Sequence, residues 1–115
     1  MNNQFFDKDV QLTETLSKAN IPFETCTNTD INSDEVLTRL KRREETYFIY
    51  SGIGGAILRD KVLSIGKKFI HMHSGRVPLY RGSTTIYYSI LKEDQCSVSA
   101  LFLDKNIDSG PLLKI

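Results

Sequence analysis

The sequence has only two cysteines and three prolines, no apolar run of membrane-spanning length and no excess of either charge. Cys26 and Cys96 have no metal-binding spacing and can form at most one disulfide, so both are read as reduced and buried. No apolar stretch approaches the ~18 to 20 residues a bilayer-spanning helix needs. Residues 1–9, Met-Asn-Asn-Gln-Phe-Phe-Asp-Lys-Asp, contain neither a basic leader nor a signal-peptide core, which predicts a cytoplasmic protein with no membrane partner. There are no repeats, no low-complexity tracts and no Pro- or Gly-rich linker. Disordered tails, collagen-like fibres and coiled-coil rods are therefore excluded. Fifteen basic against fourteen acidic side chains leave a net charge of +1, too balanced for electrostatically driven nucleic-acid binding.

What remains is an ordinary globular composition, 40% hydrophobic and 25% charged, in 115 residues. That length suits one domain with one core. Charge is unevenly spread: residues 1–60 carry −3 and residues 61–115 carry +4. The second half thus suits either an anionic small molecule or a solvated surface.

Helix and strand signals alternate along the chain. Val10, Leu12, Leu16 and Ala19 share one side of a helix over 9–19, ended by Asn20-Ile21-Pro22 because a residue before proline disfavours helix. A short strand is predicted over 22–26. Asn32 followed by Glu35 resembles a helix start, and Lys41-Arg42-Arg43 closes that helix where cations complement its dipole. Thr46 to Tyr50 is a continuous β-prone run, the pattern of a strand covered on both faces. Residues 56–65 suit one or two helical turns and 68–73 a strand. Residues 83–91 suit a helix capped by Ser83 or a neighbouring threonine, and 96–103 a strand with Val98, Ala100 and Phe102 on one face. The order predicts an α/β fold with a mostly parallel sheet.

Ligands of such sheets bind beyond the carboxyl ends of the strands. Three conspicuous segments fall there: Ser51-Gly52-Ile53-Gly54-Gly55, His71-Met72-His73, and the stretch 104–110. His71 and His73 lie two apart on a strand and face the same way. With Asp108 they could form either a metal site or an acid/base centre. The glycines permit close ligand approach or simply a turn, and their spacing is not that of a dinucleotide-binding loop. Ser74 to Gly82 leads directly into a helix start, where free amides favour anions.

His71-Met72-His73-Ser74-Gly75-Arg76-Val77-Pro78-Leu79-Tyr80-Arg81-Gly82 resembles the signature of the 10-formyltetrahydrofolate-dependent formyltransferases, with Asn-x-His, a loop ending in proline and then Tyr-Arg-Gly. Ile107-Asp108-Ser109-Gly110-Pro111 resembles the second signature of that family, at the right distance. Ser51-Gly52 resembles its glycine-containing turn beside the folate.

The resemblance implies a Rossmann-like open sheet with flanking helices. It implies formyl transfer from 10-formyltetrahydrofolate to an amine, with His71, His73 and Asp108 catalytic and no metal expected. It places Ser51, Gly52, Gly54, Gly75, Arg76, Val77 and Pro78 at the folate, and Tyr80, Arg81 and Gly82 at the acceptor. His71 stands where the family has asparagine, an amide that donates at any pH, whereas a neutral imidazole has one N–H. With Gly82-Ser83-Thr84-Thr85 and Tyr87-Tyr88 it suggests a divergent branch whose acceptor is an amino group on a nucleotide-linked sugar.

The whole chain, 1–115, is then one partial catalytic domain without the family's first strand-helix-strand unit. The strand at 46–50 is expected to have an unpaired edge that associates with another copy or another chain. Two alternatives stay open: a non-catalytic or split module needing a partner to complete the sheet, and a metal-dependent enzyme built on His71, His73 and Asp108.

Overall fold

The structure, a computed structural model, describes residues 9–53, 56–106 and 108–115. Eight elements follow one another: helices α1 (Leu12–Lys18) and α2 (Asp34–Arg42), strand β1 (Tyr47–Tyr50), helix α3 (Asp60–Leu63), strand β2 (Lys68–His73), helix α4 (Thr85–Glu93), and strands β3 (Ser99–Phe102) and β4 (Leu112–Lys114). The strands form one open sheet in the order β1-β2-β3-β4 with helices alongside, the Rossmann-like α/β arrangement.

Strand directions are mixed rather than mostly parallel. β1 pairs parallel with β2 through the α3 crossover, whereas β2–β3 and β3–β4 are antiparallel. The expectation of parallel strands rested on alternation of helix and strand, yet α4 ends in the left-handed Asp94 (φ 52°) and the chain returns alongside β2 in the opposite direction. β4 is three residues long, with all three side chains exposed, and its sequence carries no alternation that would have announced it.

The core lies on one side of the sheet, where Leu37 of α2, Leu58, Val62 of α3 and Phe69 of β2 pack together with Phe48, Tyr50 and Leu103 against them. The opposite face is open: Ile49 is 76% exposed, Tyr47 59% and Met72 54%. The uninterrupted apolar run at 46–50 is thus covered on one face only, because no described element packs on the other. On β3 the alternation holds, and the fully buried face is Ser99 and Leu101 while Val98 stays exposed.

Several expected elements are altered. No strand forms over 22–26, and the turns expected over 56–65 reduce to α3. α1 buries none of its residues, and Leu12 is exposed. Both cysteines are free and exposed, not buried.

α2 begins one residue later than the Asn32–Glu35 spacing suggests. Ser33 caps it, accepting from the Val36 amide at 3.4 Å. Asn32 and Glu35 instead hold other segments. The Asn32 amide donates to the Ile57 carbonyl and accepts from the Arg59 amide at 2.7 Å, pinning the approach to α3. The Glu35 carboxylate accepts from the Thr27 and Asn28 amides and from the Thr27 hydroxyl.

Candidate functional site

β2 positions the site. Phe69, His71 and His73 alternate onto the covered face, so the strand carries core at its start and two imidazoles at its carboxyl end. A cleft of about 650 Å³ opens there. Its walls are mostly apolar (Tyr50, Ile53, Ile57, Leu58, Leu103), with His71, His73 and Asp108 supplying polar groups, a size and character typical of small-molecule sites.

His73 is 4% exposed and Asp108 8%. The His73 Nε2 lies 2.7 Å from the Tyr80 carbonyl oxygen. A carbonyl only accepts, so Nε2 carries the hydrogen. The other ring nitrogen, Nδ1, then faces Asp108 Oδ2 at 3.4 Å. Lone pair against carboxylate is repulsive, so this geometry calls for a proton or a cation between them. Asp108 Oδ2 also accepts from the Gly82 amide at 2.8 Å. Asp108 sits at φ 48°, a left-handed conformation that aspartate tolerates better than most residues and that aims its carboxylate back at the strand.

The loop after β2 folds tightly over His73. The Ser99 hydroxyl donates to the Gly75 carbonyl at 2.6 Å and accepts from the Val77 amide at 3.1 Å. Thr85 at the start of α4 donates to the Ser74 carbonyl and lies 3.5 Å from His73 Nε2. A Cβ on Gly75 would come within 2.9 Å of His73 Nε2 and the Tyr80 carbonyl, and 2.8 Å of the Thr85 hydroxyl. Only glycine fits there.

His71 is half-buried, its Nδ1 3.4 Å from the Tyr50 carbonyl oxygen and its ring 6.3 Å from that of His73. Tyr50 donates to the Ala56 carbonyl at 3.1 Å, and burial raises its phenol pKa.

The structure brings together His71, His73 and Asp108, each offering a ligand atom within 4.8 Å of the others. Gly52 and Gly82 border the same cleft. Ser51, Arg76, Pro78 and Arg81 are exposed and outside its described lining; Gly75, Val77 and Tyr80 are buried in the loop beneath it. The Tyr80 hydroxyl donates to Glu93 at 2.9 Å, which raises its pKa, so it is the Tyr80 carbonyl that meets His73. Gly54 lies outside the described residues. Of the set expected to face the site, Gly82 and Ser83 border the cleft and Thr85 reaches His73 from the loop side, whereas Tyr87 and Tyr88 are exposed and outside the described lining.

Sequence reasoning missed Ser99, and it singled out the stretch 104–110 without naming Asp104 and Asn106 in it. Ser99 was detectable in principle, as a polar residue at an inward position of an alternating strand. Asp104 and Asn106 sit on the turn after β3 and border the cleft, but their spacing does not set them apart from the rest of that stretch.

No protein-family model matches the chain. It is similar to the methionyl-tRNA formyltransferase of Finegoldia magna, 28% identical over 87 residues that make up 75% of this chain and 28% of the relative. The enzyme of that name from Chloroflexus aurantiacus is 43% identical over 61 residues, 51% of this chain and 20% of the relative. In Wolbachia pipientis the match is 42% over 62 residues, 52% and 21%. The chain therefore spans less than a third of the length of these curated relatives. Its fold is similar to a solved phosphoribosylglycinamide formyltransferase from Bacillus halodurans, with a TM-score of 0.68 at 17% identity, covering 95% of this chain and 62% of that one. Sequence likeness over part of the chain and a fold similar to that of a solved formyltransferase relate the chain, at partial coverage, to the formyltransferases.

Proposed function

We propose that the cleft at the end of β2 transfers a formyl group from 10-formyltetrahydrofolate to an amine, with His71, His73 and Asp108 as its catalytic residues. The observation that carries this reading is the buried His73–Asp108 pair, joined through one ring nitrogen while the other is fixed by the Tyr80 carbonyl. The cleft volume and apolar walls fit a folate ring system, and Gly52 leaves a wall without a side chain. When bound, the folate supplies the activated formyl carbon.

The chain's own residues then have two tasks. Asp108, 3.4 Å from Nδ1, favours a protonated His73 ring, and the Nδ1–H is shared with the oxygen on which negative charge develops. His71, with Nδ1–H turned to the Tyr50 carbonyl, presents an unprotonated Nε2 and accepts the proton released by the attacking amine. Histidine in place of the family's asparagine thus supplies a base where an amide supplies only a donor and an acceptor. As the carbon–nitrogen bond to the folate breaks, that proton is available to the departing nitrogen. By the family resemblance the remaining folate contacts fall to Ser51, Gly54, Gly75, Arg76, Val77 and Pro78 and the acceptor contacts to Tyr80, Arg81 and Gly82, of which Gly82 borders the cleft.

The acceptor we infer is the amino group of a nucleotide-linked sugar, supported by a net charge of +1 where a tRNA backbone calls for a basic surface. Methionyl-tRNA is the second acceptor to test, since it is named in the relatives. Residues 1–115 form a single partial domain in this reading, with its β1 edge completed by another copy or another chain.

The test is formylation of an amino-sugar nucleotide and of methionyl-tRNA by the chain with 10-formyltetrahydrofolate, followed by mass spectrometry. His73→Ala and Asp108→Asn are each expected to lower turnover at least about 100-fold, the usual reach of a positioned acid or base. Full activity in both variants would sink the assignment. A folded chain that neither binds a folate analogue nor transfers formyl would be the non-catalytic module instead.

A further inference from the structure

We propose that His71, His73 and Asp108 bind a divalent zinc-class cation, with the fourth position open to the cleft. The inference is separate from formyl transfer and rests on four features of the geometry.

First, one ligand atom from each of the three side chains lies within 4.8 Å of the other two. Second, the 3.4 Å between His73 Nδ1 and Asp108 Oδ2 is long for a charge-assisted hydrogen bond, which closes to about 2.7–2.9 Å. It matches the separation of neighbouring ligands around a tetrahedral zinc, about 3.3–3.4 Å for bonds of about 2.0–2.1 Å.

Third, both histidines turn their remaining nitrogen to a backbone carbonyl, His73 Nε2 to Tyr80 at 2.7 Å and His71 Nδ1 to Tyr50 at 3.4 Å. Carbonyl-anchored imidazoles of this kind present a lone pair from the opposite nitrogen, the supporting pattern of histidine ligands to metals. Fourth, the Gly82 amide, donating to Asp108 Oδ2 at 2.8 Å, holds the carboxylate in place.

His71 is half-buried and borders a cleft of about 650 Å³, which leaves room beside the three ligand atoms for a water or an anionic ligand. Two imidazoles and one carboxylate with an open position suit zinc, cobalt(II) or iron(II) and disfavour magnesium and calcium, which take oxygen ligands. A metal bound there occupies the nitrogen and the carboxylate that share a proton in the proposed reaction. It is therefore an inhibitor of that reaction rather than a requirement for it.

The test uses the full chain carrying Cys26→Ser and Cys96→Ser, which removes two exposed thiols that would bind zinc on their own. Titration with zinc chloride after chelator treatment is expected to give one ion per chain. His71→Asn and Asp108→Asn should each weaken binding about 100-fold, the upper end of what loss of even a supporting partner costs. Circular dichroism checks that each variant is folded.

No binding by the cysteine-free chain, or equal affinity after His71→Asn, would overturn the inference. If a variant fails to fold, the cobalt(II) spectrum of the chain with both histidines decides: an intense four-coordinate spectrum supports the site and a weak six-coordinate one refutes it. Zinc binding without formyl transfer would leave this inference standing and remove the proposed function. Where both hold, zinc should suppress transfer and a chelator restore it.

Discussion

Gly75 shows how little room the site has. Its missing Cβ would sit within 2.9 Å of three polar atoms, among them the Nε2 of His73 and the carbonyl it bonds. Two of those atoms belong to the hydrogen bond that fixes the imidazole, so an added methyl group presses directly on it. Gly75→Ala is expected to destabilise the chain by about 1–3 kcal/mol, the usual cost of overpacking, and to lower formyl transfer through the displaced ring. An unchanged melting temperature would show that the loop yields without strain. Gly75 was singled out in the sequence as part of a folate loop; the structure gives it a task one step removed, allowing the backbone to lie against the histidine. Its role was legible as a glycine in a motif, but the atoms that exclude a side chain come from 73, 80 and 85, which only folding brings together.

At the scale of elements, α2 is tied to the chain before it by one carboxylate. Hydrogen bonds from the Asn28 amide, and then from the Thr27 amide and hydroxyl, hold the Glu35 pKa at about 2 instead of the ordinary 4.5. Arg39 beside it acts in the same direction. Because the folded-state value is depressed, this contribution to stability is complete above about pH 4.5 and is lost as pH falls towards 2. Glu35→Gln should therefore lower stability at neutral pH, and its difference from the parent should shrink between pH 4.5 and 2. Denaturant titrations across that range measure it; a constant difference at every pH would contradict the assignment. The sequence places Glu35 three residues after Asn32, a spacing that reads as a local capping pair. Both side chains prefer partners from other segments, Thr27 and Asn28 for one and Ile57 and Arg59 for the other.

Over the whole molecule, the sheet is covered on one side and open on the other. Its extents of 44 × 41 × 22 Å and radius of gyration of 16.3 Å exceed the ~13 Å of a compact chain of about this length. β1 forms one edge of the sheet, and its Tyr47 and Ile49 lie exposed on the open face. An apolar edge strand of this kind is a template for pairing. Sedimentation velocity is expected to show concentration-dependent association that Ile49→Lys reduces, since a charge on an edge strand opposes both pairing and face-to-face burial. A chain that stays monomeric across the concentration range would remove edge pairing as a mode of assembly. No helix among the described residues is long and apolar enough to cross a membrane.

The sequence by itself determined the helices over 34–42 and 85–93 to within a residue or two, and the strands at 47–50 and 68–73. It did so because hydrophobic periodicity and β-branched or aromatic runs act locally. It also determined which residues could meet: His71 and His73 share a face by strand geometry alone, and the spacing to Asp108 resembles a known signature. Only the tertiary structure decided the rest. The directions of β3 and β4, the exposure of Ile49 and both cysteines, and the tautomer of His73 depend on partners distant in sequence. A strand's pattern says which side chains alternate, but the neighbour it pairs with and the element that covers it are set by packing. An imidazole's pattern says that it can hold a proton, but it is the carbonyl of Tyr80 that sets a hydrogen on Nε2 and turns Nδ1 to Asp108.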